Sequence, residues 1–212
     1  MRKRCQLQQG VRDMDKPYIL AVDPGNVQSA FCLVSPDLRP LAFEKCRNRM
    51  SKEEQKELIE STGNPDVSRE IFFEAFKSAI AYETPVGANI HFVIEDIENF
   101  GMPAGRSLFD TEKYIGRLSR LIEEEYGEEP EYIFRHEEKM TICRNPRAND
   151  ATIKQALVDM FAPGVPNHGK GTKANPGYFY GMKADCWSAF AIAVTYHDKY
   201  LSDDLHLADL PF

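Results

Sequence analysis

The sequence predicts an α/β protein in which a mixed sheet carries helices on both faces. Two observations lead to this fold class. Short apolar runs of strand length alternate with amphipathic segments of helical periodicity, and the first three strands follow one another before any helix. The 212 residues, of which 42% are hydrophobic and 28% charged, suit one domain of this kind.

The predicted strands are five short apolar runs. Residues 18–22 form the first, and the Asp23-Pro24-Gly25-Asn26 segment after it is typical of a tight turn. Residues 29–34 and 41–44 complete a meander. Residues 90–94, which lead into Glu95, and residues 132–134 come later between helices, and we expect them to extend the same sheet.

Five helices are predicted around these strands. Ser51 begins the first, with Glu54 at the spacing of a capping box. The others cover residues 66–82, 107–126, 149–161 and 185–200, and the last is apolar enough to require burial against the sheet. Residues 163–181 are rich in Gly, Pro, Lys and Asn and are predicted to be a long loop, a length that favours a functional role.

The chain is predicted to have three parts: a flexible arm over residues 1–16, a folded domain over residues 17–201 and an acidic tail over residues 202–212. The basic N-terminus has no apolar segment behind it, and no apolar run approaches a membrane span of roughly 18 residues. A cytoplasmic location without membrane attachment is therefore expected. The five cysteines form no Cys-x-x-Cys pair, which indicates reduced thiols.

The formal charge of −7 counts mildly against a nucleic-acid partner, because phosphate contacts require Lys and Arg. Its distribution weakens that objection, since much of the acid lies in residues 123–131 and in the tail. A later stretch has a basic excess that comprises Arg135, Lys139, Arg144, Arg147, Lys170, Lys173 and Lys183. The local potential matters more for binding than the sum does.

Three acidic residues adjoin apolar elements: Asp23 and Glu95 end strands, and Asp185 opens the last helix. Carboxylates at the edge of a core are costly unless compensated, and a divalent metal ion compensates them well. Two such ions can activate a water molecule and stabilise the leaving oxygen of an in-line displacement. Each acid alone also has a plain interpretation, as a turn residue, a strand-edge acid or a helix N-terminal acid, and only the joint pattern favours chemistry.

Five segments in this order resemble one family. They are YILAVDPGN (18–26), HFVIEDIENFGMPAGRSLFDTEKYIGRL (91–118), NDATIKQALVDMF (149–161), GTKANPGYFYG (171–181) and KADCWSAFAIAVTY (183–196). Together they resemble the RuvC-type Holliday-junction resolvases of the ribonuclease-H-like superfamily, in particular the phage-encoded branch. The resemblance covers roughly residues 18–200, and only the ordered set of motifs is specific.

The resemblance implies a ribonuclease-H-like fold with a five-stranded mixed sheet. It also implies a dimeric endonuclease that hydrolyses Holliday junctions or other branched DNA with two Mg²⁺ ions, for which Mn²⁺ can substitute. Asp23 then matches the first catalytic aspartate, Glu95 the central glutamate and Asp185 the third acid, while Lys139 falls where related enzymes carry a lysine near the active site. Ser188 departs from the pattern, because bacterial members have another aspartate there. A junction-binding protein with weak or lost catalysis therefore stays open as an alternative.

Further DNA contacts are predicted outside the acids. Phe100 follows the fourth strand and is either an aromatic that stacks on DNA or a core-facing residue of a plain turn. Phosphate contacts are predicted for Arg144, Arg147, Lys170, Lys173 and Lys183. Asp150 and Glu98 are candidate outer ligands. Asp96 is expected on the opposite face of the strand from Glu95.

The chain ends in an acidic run followed by Leu210-Pro211-Phe212. It resembles the acidic C-terminal tip of bacterial single-stranded-DNA-binding proteins. We therefore expect the tail to dock on host replication or repair proteins through the terminal carboxylate and ring. A solvated acidic terminus is the alternative. An actin-like nucleotide-binding domain is disfavoured because the sequence has no second Asp-x-Gly phosphate turn.

Overall fold

The computed structural model describes residues 16–98, 101 and 105–202. Its strands are β1 (Tyr18–Asp23), β2 (Gln28–Val34), β3 (Pro40–Arg47), β4 (Ile90–Asp96) and β5 (Glu131–Phe134). They form one sheet in the order β3-β2-β1-β4-β5. β2 is antiparallel to both β1 and β3, whereas β4 runs parallel to both β1 and β5. The predicted mixed five-stranded sheet is confirmed.

The helices are α1 (Lys52–Thr62), α2 (Ile71–Glu83), α3 (Arg106–Tyr126), α4 (Arg135–Cys143), α5 (Asp150–Phe161) and α6 (Cys186–Tyr196), which continues as a π-helix over His197–Leu201. Ser51 caps α1, and Glu54 completes the capping box, as the sequence predicts. Within the part of the chain that the structure describes, no helix is long and apolar enough to cross a bilayer.

Side chains alternate along β1, so that its two sets of residues enter two separate cores. Leu20 and Val22 pack with α2 and α3, where Phe31, Phe72 and Phe76 meet edge to face; we call this side of the sheet the aromatic face. The other side carries α4, α5 and α6, and we call it the site face. Its core contains the following residues of the sheet: Ile19, Ala21, Ala30, Cys32, Val34, Val93 and Ile133.

The last helix is buried as predicted, because the site face supplies an apolar surface along its whole length. Trp187 is 8% exposed, and the four residues 191–194 are fully buried. The loop over residues 163–181 is ordered by turns and by a bridge between Gly171 and Pro176. Phe179 at its end is fully buried and lies 4.6 Å from the Trp187 ring, so the loop helps to cover the core.

Two helix predictions need correction. The second helix begins at Ile71 and not at residue 66, because residues 66–69 form an irregular segment and Glu70, with a φ of −87° and a ψ of 75°, is not helical. Helix α4 was not predicted at all: it follows β5 without an intervening turn residue, and its sequence RHEEKMTIC is short and polar. Phe100, residues 1–15 of the arm and residues 203–212 of the tail, including Phe212, lie outside the described residues.

Candidate active site

Asp23 is the last residue of β1 and Glu95 the penultimate residue of the neighbouring parallel strand β4, and both lie on the same face of the sheet. Val22 pairs with Ile94 in the β1–β4 register, so the next residue of each strand brings the two carboxyl groups together. Because side chains alternate, Asp23 follows Ile19 and Ala21 onto the site face, and Glu95 follows Val93 onto it. Asp96 therefore lies on the aromatic face, as expected, and its carboxylate accepts a hydrogen bond from the Ile97 backbone N–H at 2.8 Å.

The turn after Asp23 is fixed by a buried network. The Gly25 N–H donates to Ser29 Oγ at 3.1 Å, Ser29 Oγ donates to Asn48 Oδ1 at 2.7 Å, and Asn48 Nδ2 donates to the Gly25 carbonyl at 2.7 Å. A Cβ atom on Gly25 would lie 2.3 Å from the Gln28 carbonyl oxygen, so only glycine fits here. The network holds the end of β1, and with it Asp23, in one position.

Asp185 comes to the same edge of the sheet at the first turn of α6. It is the N-cap residue, but its side chain makes no capping hydrogen bond. Its Oδ2 lies instead 2.5 Å from Lys45 Nζ. Lys45 pairs with Ala30 across β2–β3, and Ala30 pairs with Asp23, so one row of the sheet leads from Lys45 to Asp23. The small Ala30 side chain leaves the Lys45 side chain free to reach Asp185.

Helix α4 adds two residues that sequence analysis did not place in the site. Arg135 Nη1 lies 2.6 Å from Glu138 Oε2, and Arg135 Nε lies 3.8 Å from Glu95 Oε1. The same guanidinium also pairs with the exposed Asp150. Glu138 is fully buried, and its Oε1 has no hydrogen-bond partner in the described structure. The i, i+3 spacing of Arg135 and Glu138 places them on one face of α4, but nothing in the short polar sequence of this helix distinguishes that face.

Burial and mutual repulsion make these carboxyl groups reluctant to ionise. Desolvation, followed by the negative charges of Glu95 and Asp185, raises the pKa of Asp23 from 3.8 to about 8. Desolvation also raises the pKa of Glu95, although Arg135 opposes this, and it raises the pKa of Glu138 well above its ordinary value. Asp23 and Glu95 share a side-chain hydrogen bond. The cluster thus has more carboxyl groups than its two cations can neutralise.

The donor chemistry of this cluster fits a hard divalent cation such as Mg²⁺ or Mn²⁺, which prefers carboxylate oxygens. As they stand, the residues in 16–98, 101 and 105–202 include no three His, Cys, Asp or Glu side chains gathered closely enough to hold an ion. Asp185 is paired with Lys45, and Glu95 lies near Arg135. A bound cation would take over the neutralising role that the proton on Asp23 and these two side chains now have.

A cavity of about 350 Å³ opens beside the carboxylates. Its lining includes Arg135, Asp150, Lys154, Lys170, Asp185 and Ser188. Lys154 Nζ lies 5.1 Å from the centre of the Trp187 ring, which holds its charge at the cavity wall. The lining of the cavity therefore includes three basic residues, Arg135, Lys154 and Lys170, beside its two acids. Of the predicted outer ligands, Asp150 reaches the cluster through Arg135, whereas Glu98 pairs with His136 at 2.5 Å.

The predicted basic residues fall into two groups. Lys139 is half-buried on α4, where its charge lowers the pKa of Glu95, and Lys170 lines the cavity. Arg144, Arg147, Lys173 and Lys183 are exposed. Arg144 ends α4 in the left-handed conformation, with a φ of 51°, and Lys183 lies in the turn just before Asp185.

Comparison with known proteins shows the fold of this chain. T. thermophilus RuvC in complex with a Holliday junction substrate superposes with a TM-score of 0.52 at 14% identity, covering 85% of this chain and 92% of RuvC. A second Thermus thermophilus RuvC structure gives a TM-score of 0.51 at 13% identity, over 84% and 92% of the two chains. No family model and no curated protein sequence matches the chain. The ribonuclease-H-like fold expected from the motifs is thereby confirmed as RuvC-like.

Proposed function

We propose that this chain is a metal-dependent, structure-specific DNA endonuclease that resolves Holliday junctions or other branched DNA by phosphodiester hydrolysis. One observation carries the proposal: Asp23, Glu95 and Asp185, from three elements far apart in sequence, meet at one edge of the sheet, where their charges act on one another. The RuvC-like fold supports it, since one of the structures with that fold is a RuvC bound to a Holliday junction substrate.

Asp23, Glu95 and Asp185 are the residues that would hold the cations, and we propose two Mg²⁺ ions, with Mn²⁺ as a substitute. Such ions supply activation of water and charge stabilisation at the reacting phosphate. The chain contributes the position of the acids: the Gly25–Ser29–Asn48 network fixes the end of β1, and the apolar core beneath Glu95 keeps bulk water from that side.

The basic residues around the acids would bind and orient the DNA. Lys139, close enough to influence Glu95, is proposed to offset the negative charge of the reacting phosphate. Lys170 in the cavity and the exposed Arg144, Arg147, Lys173 and Lys183 are proposed to contact phosphates on either side. Phe100 keeps its proposed role of stacking on unpaired bases at the junction.

Several expectations belong to the same proposal. Symmetric cutting of a four-way junction requires two active sites related by a two-fold axis, so we propose a homodimer. We also propose membership of the phage-encoded branch, which the resemblance of the motifs suggests, and a cytoplasmic location, in the host if phage-encoded. The division into arm, nuclease domain and tail, and docking of the tail through Phe212 on host replication or repair proteins, follow from the sequence in the same way.

A second candidate function is a junction-binding protein with weak or lost catalysis. Two observations favour it: Ser188 lines the cavity where an acid would add a ligand, and Lys45 pairs with Asp185 at 2.5 Å. In a protein with this second function, basic side chains neutralise the acids in place of metal ions, and the basic residues alone bind the junction. Tight junction binding without turnover is its expected behaviour.

Cleavage assays on four-way, three-way and linear DNA separate the two functions. We expect Mg²⁺ or Mn²⁺ to produce symmetric nicks in the four-way junction and little product from linear DNA. Junction affinity is measured in parallel in EDTA. Binding of the four-way junction without any metal-dependent nicking would favour the second function, and equal cleavage of linear DNA would contradict structure specificity.

A further inference from the structure

Glu138 is a charged residue in a place where charges are rare. Its side chain is fully buried on α4 under the site face. Only one of its two oxygens is used, since Oε2 lies 2.6 Å from Arg135 Nη1 while Oε1 has no hydrogen-bond partner among the described residues. An unpaired oxygen of a buried carboxylate costs stability. Glu70 Oε2 on the aromatic face also lacks a partner, but two arginines contact Glu70 Oε1, whereas Glu138 has a single arginine that it shares with Glu95.

The location of Glu138 is set by the residue that it shares with the candidate active site. Arg135 contacts Glu138 with Nη1 and approaches Glu95 to 3.8 Å with Nε. One guanidinium group therefore lies between the two carboxylates, which places Glu138 beside Glu95 and not in a separate part of the core. Without Arg135 in this position, the carboxylates of Glu138 and Glu95 would face each other across the space that the guanidinium group now fills.

Charge balance at the site calls for a further acid. Two divalent cations bring four positive charges, whereas Asp23, Glu95 and Asp185 supply three negative ones. Ser188, which lines the adjoining cavity one turn after Asp185, supplies none. Glu138 supplies the fourth negative charge from a different helix, and it does so from a position that water does not reach.

We propose that Glu138 is a fourth acidic ligand of the divalent-cation site, with Oε1 as its free donor atom and Arg135 as its partner in the metal-free chain. The inference rests on the proposed function, because it assumes that Asp23, Glu95 and Asp185 hold the same cations. It goes further in assigning a ligand to α4 and in giving Arg135 the role of neutralising the site until metal binds.

Mn²⁺ binding to the purified full-length chain tests the assignment without any cleavage. Free Mn²⁺ is measured by electron paramagnetic resonance during titration of the metal-free protein. We expect Glu138→Gln to lose one of two bound ions or to weaken binding by about 10-fold, in line with removal of one ligand at a metal site. The matched control is Glu137→Gln, because the neighbouring Glu137 pairs with Lys199 and accepts from the Phe134 N–H; it should bind Mn²⁺ as the wild type does.

A second pair of variants covers the case in which Glu138→Gln fails to fold because Arg135 is left unpaired. Arg135→Gln removes the cation, and Arg135→Gln with Glu138→Gln removes both charges of the buried pair. Both variants lose the contacts of Arg135 to Glu95 and Asp150, so the comparison between them isolates Glu138. We expect Arg135→Gln to bind Mn²⁺ at least as tightly as the wild type and the double variant to bind it about 10-fold more weakly than Arg135→Gln.

The outcomes separate this inference from the proposed function. Equal Mn²⁺ binding by Arg135→Gln and by the double variant, with Asp23→Asn defective, would overturn the role of Glu138 and leave the proposed nuclease intact. A wild-type chain that binds no Mn²⁺ in the absence or presence of junction DNA would overturn both.

Discussion

The two faces of the sheet treat buried carboxylates in opposite ways. On the aromatic face, Glu70 is 6% exposed at its side chain and is contacted by two guanidinium groups, Arg49 at 2.7 Å and Arg117 at 2.7 Å. On the site face, the described residues give the four acids Asp23, Glu95, Glu138 and Asp185 two ion-pairing cations, Arg135 and Lys45. Lys139 acts on Glu95 as well. One region has an excess of cations, and the other has an excess of acids.

This difference separates structural charges from functional charges in this molecule. An acid surrounded by more cations than it needs is held in place and stabilises its surroundings. Acids that outnumber their cations repel one another, lose stability and raise one another's pKa, as Asp23 does. Such an arrangement is tolerated where a ligand with positive charge completes it, which is why the site face is the region to test for metal-dependent chemistry.

The largest expected effects come from neutralising single acids, three of them on the site face and one on the aromatic face. Glu95→Gln, like Asp23→Asn and Asp185→Asn, should lower Mg²⁺-dependent junction cleavage by about 10³-fold or more, because each removes a charged ligand oxygen. Glu70→Gln should keep cleavage but destabilise the fold by about 1–3 kcal/mol, since it leaves two arginines without their partner. Cleavage rates and urea unfolding of the same proteins measure both. Full activity in Asp185→Asn would contradict the assignment of that acid.

The next effect distinguishes Lys139 from a simple phosphate contact. Lys139→Ala should slow cleavage about 100-fold, because a cation near Glu95 acts on charge that develops at the reacting phosphate. Junction binding should change by roughly 3-fold at most, since one phosphate contact among several is lost. Single-turnover cleavage and binding in EDTA give the two numbers. Equal losses in both would reduce Lys139 to a DNA contact.

The acid excess also predicts how the stability of the metal-free chain depends on pH. Between about pH 4 and pH 8 the folded chain keeps a proton on Asp23, because the pKa of this residue is about 8 there. In the unfolded chain, where the pKa of Asp23 is 3.8, that proton has been released. Stability should therefore fall as pH rises from about 4 towards 8. Asp23→Asn removes the contribution of Asp23 to this slope and should therefore gain stability relative to the wild type as pH rises towards 8. Urea unfolding in EDTA at several pH values measures the slopes, and parallel slopes for the two proteins would contradict the idea.

A smaller effect is expected when the acid excess is increased. Ser188 lines the cavity together with Asp185 and Arg135. Ser188→Asp should raise Mn²⁺ affinity several-fold and shift the preference between Mg²⁺ and Mn²⁺, because it adds a carboxylate near the site. Metal titrations of the folded variant give the answer. An unchanged metal profile would show that the side chain at this position does not face the cations.

The smallest effects are expected at the exposed basic residues. Lys173→Ala and Arg147→Ala should each weaken junction binding by roughly 3-fold and lower the slope of log affinity against log salt by about 0.9. Lys113→Ala, which alters an exposed lysine of α3 on the aromatic face, is the matched control and should change neither. Fluorescence anisotropy across a salt series measures both quantities. A control that weakens binding as much would remove the distinction between the faces.

The sequence predicts the elements of the site better than their partners. Strand alternation and the Asp-Pro-Gly turn suffice to predict that Asp23 and Glu95 each lie at the end of a strand beside the core, because the alternation of side chains is a local property. Lys45, Arg135 and Glu138 escape prediction, since their roles depend on which elements pack together. Glu138 lies on a helix that lacks a polar N-cap residue and whose start is held by a bond from the Phe134 N–H to the Glu137 carboxylate. Nothing in the spacing of RHEEKMTIC marks one of two adjacent glutamates as buried.

The row of the sheet that runs from Lys45 through Ala30 and Asp23 to Glu95 has a consequence for biosynthesis. Asp23 leaves the ribosome early, Glu95 midway and Asp185 near the end of the described chain, so the three acids meet only after the parallel pairing of β4 and the docking of α6. These are non-local contacts, which form slowly compared with hairpins and isolated helices. A nascent or partly folded chain therefore carries scattered carboxylates with ordinary acidity and no shared site. Completion of folding therefore controls when the three carboxylates first come together.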